Sequence, residues 1–528
     1  MQQLSAHSPL RAAPTAAVLC AAAVAAAAAV MAWVAVRRAL LTPLRRIPGP
    51  ALSSFTNVPM HYHIARGKFH DYLERLHAQY GEVVRIGHNQ VSVADPAELR
   101  RILASHEFRK GAHYEQGVMM SPSTFSCIDP ELNKKRRRQL GPAYALSALR
   151  GLEATIVEHG AQALMAAWDE RIRAALEAGD GARAEVNYFH GFHGVAVDVI
   201  GVLGFGRSFG LTQGADAGIV DAMRKHVTLV ALSARVPVVG TRRWLFPRLH
   251  AARDRVVGVA RGAIGLRRQE MAARGEKQRR DILQRLIDAR DPETGEALHG
   301  PALTIEVLLM MIAGTDTTSN TMTYTLMHLL HHPAVLARLQ RDIRQAFPDA
   351  SAAIRYDEAR ERVPLLTAVI LEAMRLHPAV NGYQPRTVPA GGAVLRGRYA
   401  VPARTDICVA IGAANRNARV WERPLQFDPG RFLGPDGEAR RKDMLSFSSG
   451  VRMCLGRNLA MIELHTVLAN VLRRYALALP AAAPYGPHRP STRPGAAGQP
   501  EHIPGSSFIT FGPDCPHQNC VVEISLAG

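Results

Sequence analysis

The stretch FSSGVRMCLG, residues 447–456, constrains this chain more than any other part of its sequence. Cys454 stands before a segment with apolar residues at positions 455, 459, 462, 464, 467, 468, 471 and 472, a spacing that predicts an amphipathic helix. The N–H groups and the dipole at a helix N-terminus favour a thiolate. Gly450 and Gly456 let the backbone turn tightly or approach a flat partner, and Arg452 can meet a carboxylate.

Together these features suit a cysteine thiolate that ligates haem iron. A buried cysteine before an ordinary helix is the alternative for a lone cysteine. Here Phe447, Gly450, Arg452, Cys454 and Gly456 complete the pattern F-x-x-G-x-R-x-C-x-G, and with it the chain resembles the cytochrome P450 family. The resemblance extends from IPGP at residue 47 to SSFITF at residue 506. It implies the P450 fold, haem b as cofactor, Cys454 as the axial iron ligand and the other four positions as cofactor-binding.

A Glu–Arg pair three residues apart, Glu372 and Arg375, precedes the cysteine by roughly eighty residues. Such pairs are common as solvated ion pairs on helices, and several others in this chain share the spacing, so the pair means little alone. FDPGRF, residues 427–432, lies between the pair and the cysteine. The resemblance implies that Arg431 joins Glu372 and Arg375 to fix the cysteine loop. Gly430 departs from the glutamate that is frequent there in the family.

The sequence AGTDTT, residues 313–318, lies inside a long helical run from about residue 303 to 332. Small residues at 313 and 314 let a helix pass close to a flat cofactor, and the neighbouring Asp316 and Thr317 can relay protons. Without the haem motif, a Thr/Asp kink in a buried helix is the alternative. The resemblance implies an oxygen-activation groove in which Thr317 and Asp316 are catalytic.

The resemblance also implies three arginines that contact the haem propionates: Arg137 in NKKRRRQLGPAY, Arg386 in YQPRTV, and Arg452. Asn133 occupies the position where the family usually has Trp or His. Each arginine has an alternative as a surface cation. We expect the substrate pocket to be lined by the loop of residues 110–127 and by a second set of residues, Met310, Met311, Ala313, Val380 to Tyr383 and Phe508. These are mostly uncharged, which predicts a lipophilic substrate.

The N-terminus has an uncharged run at residues 16–36, enough to span a bilayer as one helix. Arginines at 37, 38, 45 and 46 follow it, so the positive-inside rule places the remaining chain in the cytosol. A cleaved signal peptide is the alternative. We therefore expect a short lumenal N-terminus at residues 1–15, a transmembrane anchor at 16–36, a basic, proline-rich hinge at 37–50 and a haem-binding catalytic domain at 51–528. Together with this anchor, the resemblance to microsomal members of the family implies a single-pass protein of the endoplasmic reticulum membrane.

The formal charge of +19 is spread along the chain without a nucleic-acid motif, so we predict no nucleic-acid partner. Six cysteines in 528 residues do not form a disulfide framework. Helical periodicity dominates from about residue 142 to 377, and strand-like segments occur at 82–93, 393–401 and 405–411. The first segment breaks at residues 87–89 and turns helical after Pro96, which predicts a β-hairpin followed by a helix. The fold class is mainly α with a minor β portion.

The resemblance implies a haem-thiolate monooxygenase that inserts one atom of O2 into a lipophilic small molecule. Electrons would come from NADPH through NADPH-cytochrome P450 reductase, with cytochrome b5 as a further donor. The basic runs at 134–138 and 440–442 could dock such an acidic partner. The overall layout resembles microsomal members of fungal secondary metabolism. Two alternatives stay open: a haem-thiolate isomerase or dehydratase, and a non-enzymatic, membrane-tethered haem sensor or carrier.

Overall fold

The computed structural model describes residues 13–116, 120–179, 181–215, 217–274, 279–493 and 495–527. The described chain is mainly helical with small sheets, which confirms the predicted fold class. The helices are α1 (Ala13–Ala39), α2 (Val58–Ala65), α3 (Phe69–Tyr80), α4 (Pro96–Ala104), α5 (His113–Gln116), α6 (Pro130–Leu140), α7 (Leu146–Arg150), α8 (Glu153–Ile156), α9 (Ala163–Glu177), α10 (Tyr188–Phe205), α11 (Gly218–Ser233), α12 (Pro237–Thr241), α13 (Pro247–Arg274), α14 (Ile282–Asp288), α15 (Gly300–His331), α16 (Pro333–Ala346), α17 (Tyr356–Arg362), α18 (Pro364–Leu376), α19 (Ile411–Ala414), α20 (Gly437–Asp443), α21 (Arg457–Arg474) and α22 (Pro516–Asn519). The strands are β1 (Val83–Gly87), β2 (Gln90–Val93), β3 (Arg109–Lys110), β4 (Ala184–Asn187), β5 (Pro385–Thr387), β6 (Ala393–Leu395), β7 (Tyr399–Val401), β8 (Asp406–Val409), β9 (Tyr475–Ala478), β10 (Gly505–Ser507), β11 (Phe511–Pro513) and β12 (Val521–Leu526).

Helix α1 contains the predicted span and extends beyond both of its ends. Its segment Ala17–Ala39 has 23 residues and a mean hydropathy of 2.3, and none of its most apolar window is buried against the rest of the chain. An exposed apolar helix of this length suits a membrane anchor. Most of the predicted lumenal segment, residues 1–12, lies outside the described residues. Helix α10 is also long and apolar, but it is 72% buried and forms part of the core.

A five-stranded sheet with the order β1-β2-β8-β5-β3 forms the second, smaller core of the protein. The antiparallel β1–β2 hairpin followed by α4 confirms the strand–turn–strand–helix pattern predicted from the sequence. Asp95 caps α4, and its carboxylate accepts from the N–H of Ala97 at 2.8 Å. At the far edge of the sheet β3 pairs with β5, which sets Lys110 opposite Arg386.

Two strand expectations from the sequence need correction. Residues 393–401 form a hairpin of two short strands, because Arg396 and Gly397 turn the chain with φ of 50° and 62°. Strand β4 lies inside the region where helical periodicity dominates, and it pairs with β12 near the C-terminus. Such a pairing between residues more than 300 positions apart leaves no periodic trace in either segment.

The 32-residue helix α15 runs through the larger core and packs against α10, α13, α18 and α21. All of its residues from Thr318 to its end at His331 are buried. Where α15 crosses α10, a Cβ on Gly314 would lie 2.6 Å from Cδ1 of Ile200, so a larger residue there would displace the Ile200 side chain. This crossing positions the middle of α15 over the loop that precedes α21.

Candidate haem site and active site

Cys454 lies at the predicted helix start, in the loop between a 3-10 turn (Gly450–Arg452) and α21. Its N–H donates to the carbonyl oxygen of Phe447 at 3.0 Å, which closes the loop. Burial raises the pKa of the thiol, while the N–H groups of Gly456 and Arg457 and the charge of Arg137 act to lower it. The surrounding protein encloses the thiol, but the Cys454 side chain is exposed to an internal cavity that it helps to line.

The cavity has a volume of about 300 Å³ and lies between α15 and the cysteine loop. One wall comes from α15, including Met310, Ala313, Gly314 and Thr317, and the facing wall from residues 446–456. Further apolar side chains line it from other elements: Phe125, Leu140, Ile200, Met374, Ile411 and Leu459. A flat apolar group fits between these two walls, with the thiol on one side and the small residues of α15 on the other.

Four cations surround one end of the cavity: Lys110, Arg137, Arg386 and Arg452. Within the described part of the chain, no carboxylate forms an ion pair with any of them. Burial and the neighbouring arginines lower the pKa of Lys110 well below its ordinary value, and burial lowers that of Arg452 to about 10. A cluster of buried cations without a counter-charge suits a dianionic ligand such as the two haem propionates.

Three of these cations, Lys110, Arg386 and Arg452, donate to backbone carbonyl groups. Arg452 donates from Nη1 to the Cys127 carbonyl at 2.9 Å, and Lys110 donates to the carbonyl of Phe125. Arg386 is 4% exposed in β5. Lys110 was not singled out as a cofactor-binding residue in the sequence, because only the β3–β5 pairing brings it next to Arg386.

The two glycines of the cysteine motif have different roles. Gly450 has φ of +62°, and a Cβ there would lie 2.4 Å from the carbonyl oxygen of Leu103, so glycine lets the loop pack against the end of α4. Gly450 is not among the residues that line the cavity, whereas Gly456 is. A Cβ on Gly456 would meet only Sγ of Cys454, at 3.9 Å, and its absence leaves space beside the sulfur. The residues around Cys454 therefore fit a haem.

Glu372, Arg375 and Arg431 come together in one buried network. Arg375 donates from Nε and Nη2 to Glu372 at 2.7 and 2.8 Å, and both side chains are completely buried. Arg431 donates to Oε1 of Glu372 at 3.3 Å, as does the N–H of Asp428 at 2.9 Å. Gly430 leaves these contacts intact.

Asn415, which the sequence analysis did not identify, connects this network to the cysteine loop. Arg375 donates to the carbonyl of Asn415 at 2.9 Å. The side chain of Asn415 accepts from the N–H of Leu445 at 3.0 Å and donates to Oγ of Ser446 at 2.9 Å. Ser446 lines the cavity eight residues before Cys454. A buried Asn in a loop is too common a feature to be selected without the fold.

The predicted pair on α15 divides between two surfaces of the helix. Thr317 lines the cavity, and its hydroxyl donates to the carbonyl of Ala313 at 2.6 Å. Asp316 does not line the cavity. Its Oδ1 lies 3.4 Å from Nε2 of His193 on α10, and its Oδ2 accepts from the hydroxyl of Thr510 at 3.3 Å.

The sequence model of the family described as Cytochrome P450 matches residues 47–492 of this chain. The chain belongs to the cytochrome P450 family. Its curated relatives include the cytochrome P450 monooxygenase helB1 of Aspergillus fumigatus, which is 33% identical over 92% of this chain and 83% of its own length. The cytochrome P450 monooxygenase atnE of Emericella nidulans is 31% identical over 84% of this chain and 88% of its own. The crystal structure of the cytochrome P450DA heme domain shares the fold, with a TM-score of 0.73, 21% identity and coverage of 91% of this chain and 98% of that chain.

The chain is therefore a cytochrome P450 monooxygenase, and enzymes of this class generally need a reductase. Of the residues predicted for the substrate pocket of this P450 outside the 110–127 loop, Met310, Ala313 and Val380 line the cavity. Met311 is 1% exposed in the larger core, and Tyr383 packs against the second core. Phe508 is 61% exposed and lies against Gly67. In the predicted loop of residues 110–127, Lys110, Thr124 and Phe125 line the cavity, and residues 117–119 lie outside the described chain.

Two buried carboxyl groups in the cavity wall were not predicted. Burial raises the pKa of Glu306 to about 7, although its Oε1 accepts from the N–H and the hydroxyl of Thr124 at 2.7 and 2.9 Å. Burial also raises the pKa of Glu463 well above its ordinary value, and Oε2 of Glu463 has no hydrogen-bond partner in the described chain. These groups are polar points in an otherwise apolar wall.

Histidines at the end of α15 meet others from distant segments. Ring nitrogens of His328, His377 and His502 lie within 4.8 Å of one another. Burial lowers the pKa of all three, so their rings are neutral. His328 stacks on Phe427 at 4.4 Å and His377 on Tyr324 at 4.2 Å, between ring centroids. This histidine cluster therefore packs as part of an aromatic core.

Proposed function

We propose that this P450 binds haem b with the Cys454 thiolate as axial ligand and with Arg137, Arg386 and Arg452 at the propionates. The observation that supports it most directly is the sulfur of Cys454, which is open to a cavity whose end carries buried cations without a carboxylate partner. When bound, a thiolate-ligated haem supplies dioxygen activation, and electron donation from the thiolate promotes O–O cleavage. Phe447, Gly450 and Gly456 shape the loop, and Glu372, Arg375 and Arg431 hold it from behind.

In this proposal the residues of α15 handle protons. The hydroxyl of Thr317 lies in the cavity wall and can pass a proton into the cavity, and Asp316 can resupply it from the other side of the helix. The small side chain of Ala313 and the glycine at 314 leave room for a flat group below the helix. Apolar residues of the same wall exclude bulk water from the cavity.

We propose a lipophilic small molecule as substrate, oxidised by hydroxylation, epoxidation or successive oxidation. The wall around Met310 and Ala313 is largely apolar. The relatives named above are monooxygenases of filamentous fungi, which favours a role in secondary-metabolite biosynthesis. Titration of the purified protein with a panel of terpenoids, polyketides and alkaloids, followed by the Soret shift, would identify the class.

We also propose the domain layout that the sequence predicts: a lumenal segment at 1–15, an anchor at 16–36, a hinge at 37–50 and a catalytic domain at 51–528 facing the cytosol from the endoplasmic reticulum. Its electron donors are NADPH-cytochrome P450 reductase and cytochrome b5. Support comes from the exposed apolar α1 and the arginines that follow it. In the basic run 134–138, Lys135 and Arg138 pair with acidic residues of this chain, which leaves the exposed Lys134 for a partner.

The test is the reduced carbon-monoxide difference spectrum of vesicles that contain the full chain, beside Cys454→Ala. Thiolate donation shifts the Soret band far to the red, and the variant should lose that band. A bluer band in folded wild-type protein would mean another ligand and would overturn the proposal. NADPH oxidation with added reductase then separates a monooxygenase from an isomerase or a haem sensor, because neither alternative consumes NADPH.

A further inference from the structure

The carboxylate of Asp316 is held on the side of α15 away from the cavity by groups from two other segments. His193 lies in the first half of α10, and its Nε2 is 3.4 Å from Oδ1 of Asp316. The hydroxyl of Thr510 donates to its Oδ2 at 3.3 Å. The side chain of His193 is 13% exposed, whereas that of Asp316 is 42% exposed.

Two further histidines continue from His193 to the surface. His190 is three residues earlier on α10, which puts it on the same helix face as His193. Its Nε2 lies 2.7 Å from Nδ1 of His517 on α22, within hydrogen-bond distance. Both rings are exposed. The ring centroids of His190 and His517 lie 4.5 Å apart. Burial, followed by the nearby imidazoles of His517 and His193, lowers the pKa of His190.

We propose that His193 is a proton-transfer residue that resupplies Asp316 from solvent, with the His190–His517 pair as its surface entry. An imidazole suits this role because it can accept and release a proton near neutral pH. The His193 imidazolium gives its Nε2 proton to Oδ1 of Asp316 and becomes neutral, and it then regains a proton from solvent by way of His190. No electrons move in this step. The proposal rests on the proposed function of Asp316 and Thr317, and it identifies the residues that deliver protons to Asp316.

The proposal is tested without a known substrate, on the full haem-loaded chain in vesicles with NADPH and a flavin reductase. Reduction of O2 to hydrogen peroxide consumes two protons and two electrons, and reduction to water consumes four of each. A slower proton supply therefore raises the ratio of peroxide formed to NADPH consumed. For His193→Gln we expect this ratio to rise at least about twofold, less than full loss of a general acid would cause, because water still reaches the half-exposed Asp316. His190→Gln should cause a smaller rise, and the exposed His106→Gln serves as the matched control.

A second readout separates proton transfer from positioning. The C–O stretching frequency of the reduced carbon-monoxide complex reports the polarity of the cavity. His193→Ala removes the outer partner of Asp316, so the carboxylate can turn inward and shift this frequency. His193→Gln keeps an N–H donor for Asp316 but cannot relay a proton, so it should leave the frequency unchanged while peroxide rises.

If His193→Gln leaves both the peroxide ratio and the frequency at wild-type values, water supplies Asp316 directly or His193 only positions it, and the proposal is overturned. Each variant must first show the red-shifted carbon-monoxide band in wild-type yield. Loss of that band in the wild-type protein would overturn the proposed function itself. A normal band with an unchanged peroxide ratio would overturn only the relay.

Discussion

Arg375 donates two hydrogen bonds to Glu372, at 2.7 and 2.8 Å, and both side chains are completely buried. Two charges in such a place are stable only as partners, because either one alone would be an uncompensated buried charge. The remaining three donors of Arg375 reach the carbonyls of Asn415, Pro424 and Gln426 at 2.9, 2.7 and 3.2 Å. The pair thus joins α18 to the loops that lead to Cys454.

Glu372→Ala should strongly destabilise the protein, because it leaves Arg375 and Arg431 buried without their shared acceptor. We expect the free energy of unfolding to fall by about 3–5 kcal/mol and haem content to fall with it. Denaturant titration followed by circular dichroism, with haem quantified by absorbance, measures both. The matched control is Glu170→Ala, whose partner Arg173 has the same three-residue spacing but lies on the surface. Equal effects of the two variants would contradict this prediction.

Gly450→Ala should destabilise the cysteine loop by more than the backbone strain at a positive φ alone would cause. Its positive φ strains any other residue by about 1–2 kcal/mol, and the added Cβ would also clash with the Leu103 carbonyl at 2.4 Å. Gly434→Ala is the matched control, since its φ is +70° but nothing lies within 4 Å of the added Cβ. We expect Gly450→Ala to lower the melting temperature further than Gly434→Ala and to weaken haem retention. Equal decreases in melting temperature for the two variants would mean that the loop can move away from α4 without loss of stability.

The local features of this P450 could be predicted from its sequence, because each is encoded by neighbouring residues. The hairpin before α4, the start of α21 just after Cys454 and the long helix around residues 313–318 all follow from periodicity, turn residues and caps. The position of Lys110 beside Arg386 and the bridge through Asn415 depend on how distant segments pack. Sequence periodicity contains no information on such contacts, and for the same reason Met311, Tyr383 and Phe508 could not be assigned to the cavity or away from it.

Glu306 should make the protein less stable as pH rises. Its folded pKa of about 7 exceeds the ordinary value of 4.5, so the unfolded chain loses this proton first. The free energy of unfolding therefore falls between pH 4.5 and 7, by about 3 kcal/mol from this group at 1.4 kcal/mol per pKa unit. Glu306→Gln keeps an acceptor for Thr124 but cannot ionise. Relative to wild type, the variant should gain stability as pH rises from 4.5 to 7 and stay level above 7; a constant difference would contradict the assignment.

The buried histidine cluster should have the opposite effect and make the protein less stable in acid. Burial lowers the pKa of His377 from 6.5 to about 3, so below pH 6.5 the unfolded chain binds a proton that the folded chain does not. The free energy of unfolding then falls with decreasing pH, by up to about 1.4 kcal/mol per pH unit for this group, until the pH reaches about 3. His377→Phe preserves stacking on Tyr324 and removes the titration. The denaturant midpoints of variant and wild type should diverge between pH 6.5 and 4, with the variant increasingly the more stable. Parallel curves for His377→Phe and wild type would mean that the His377 ring reaches water in the folded protein.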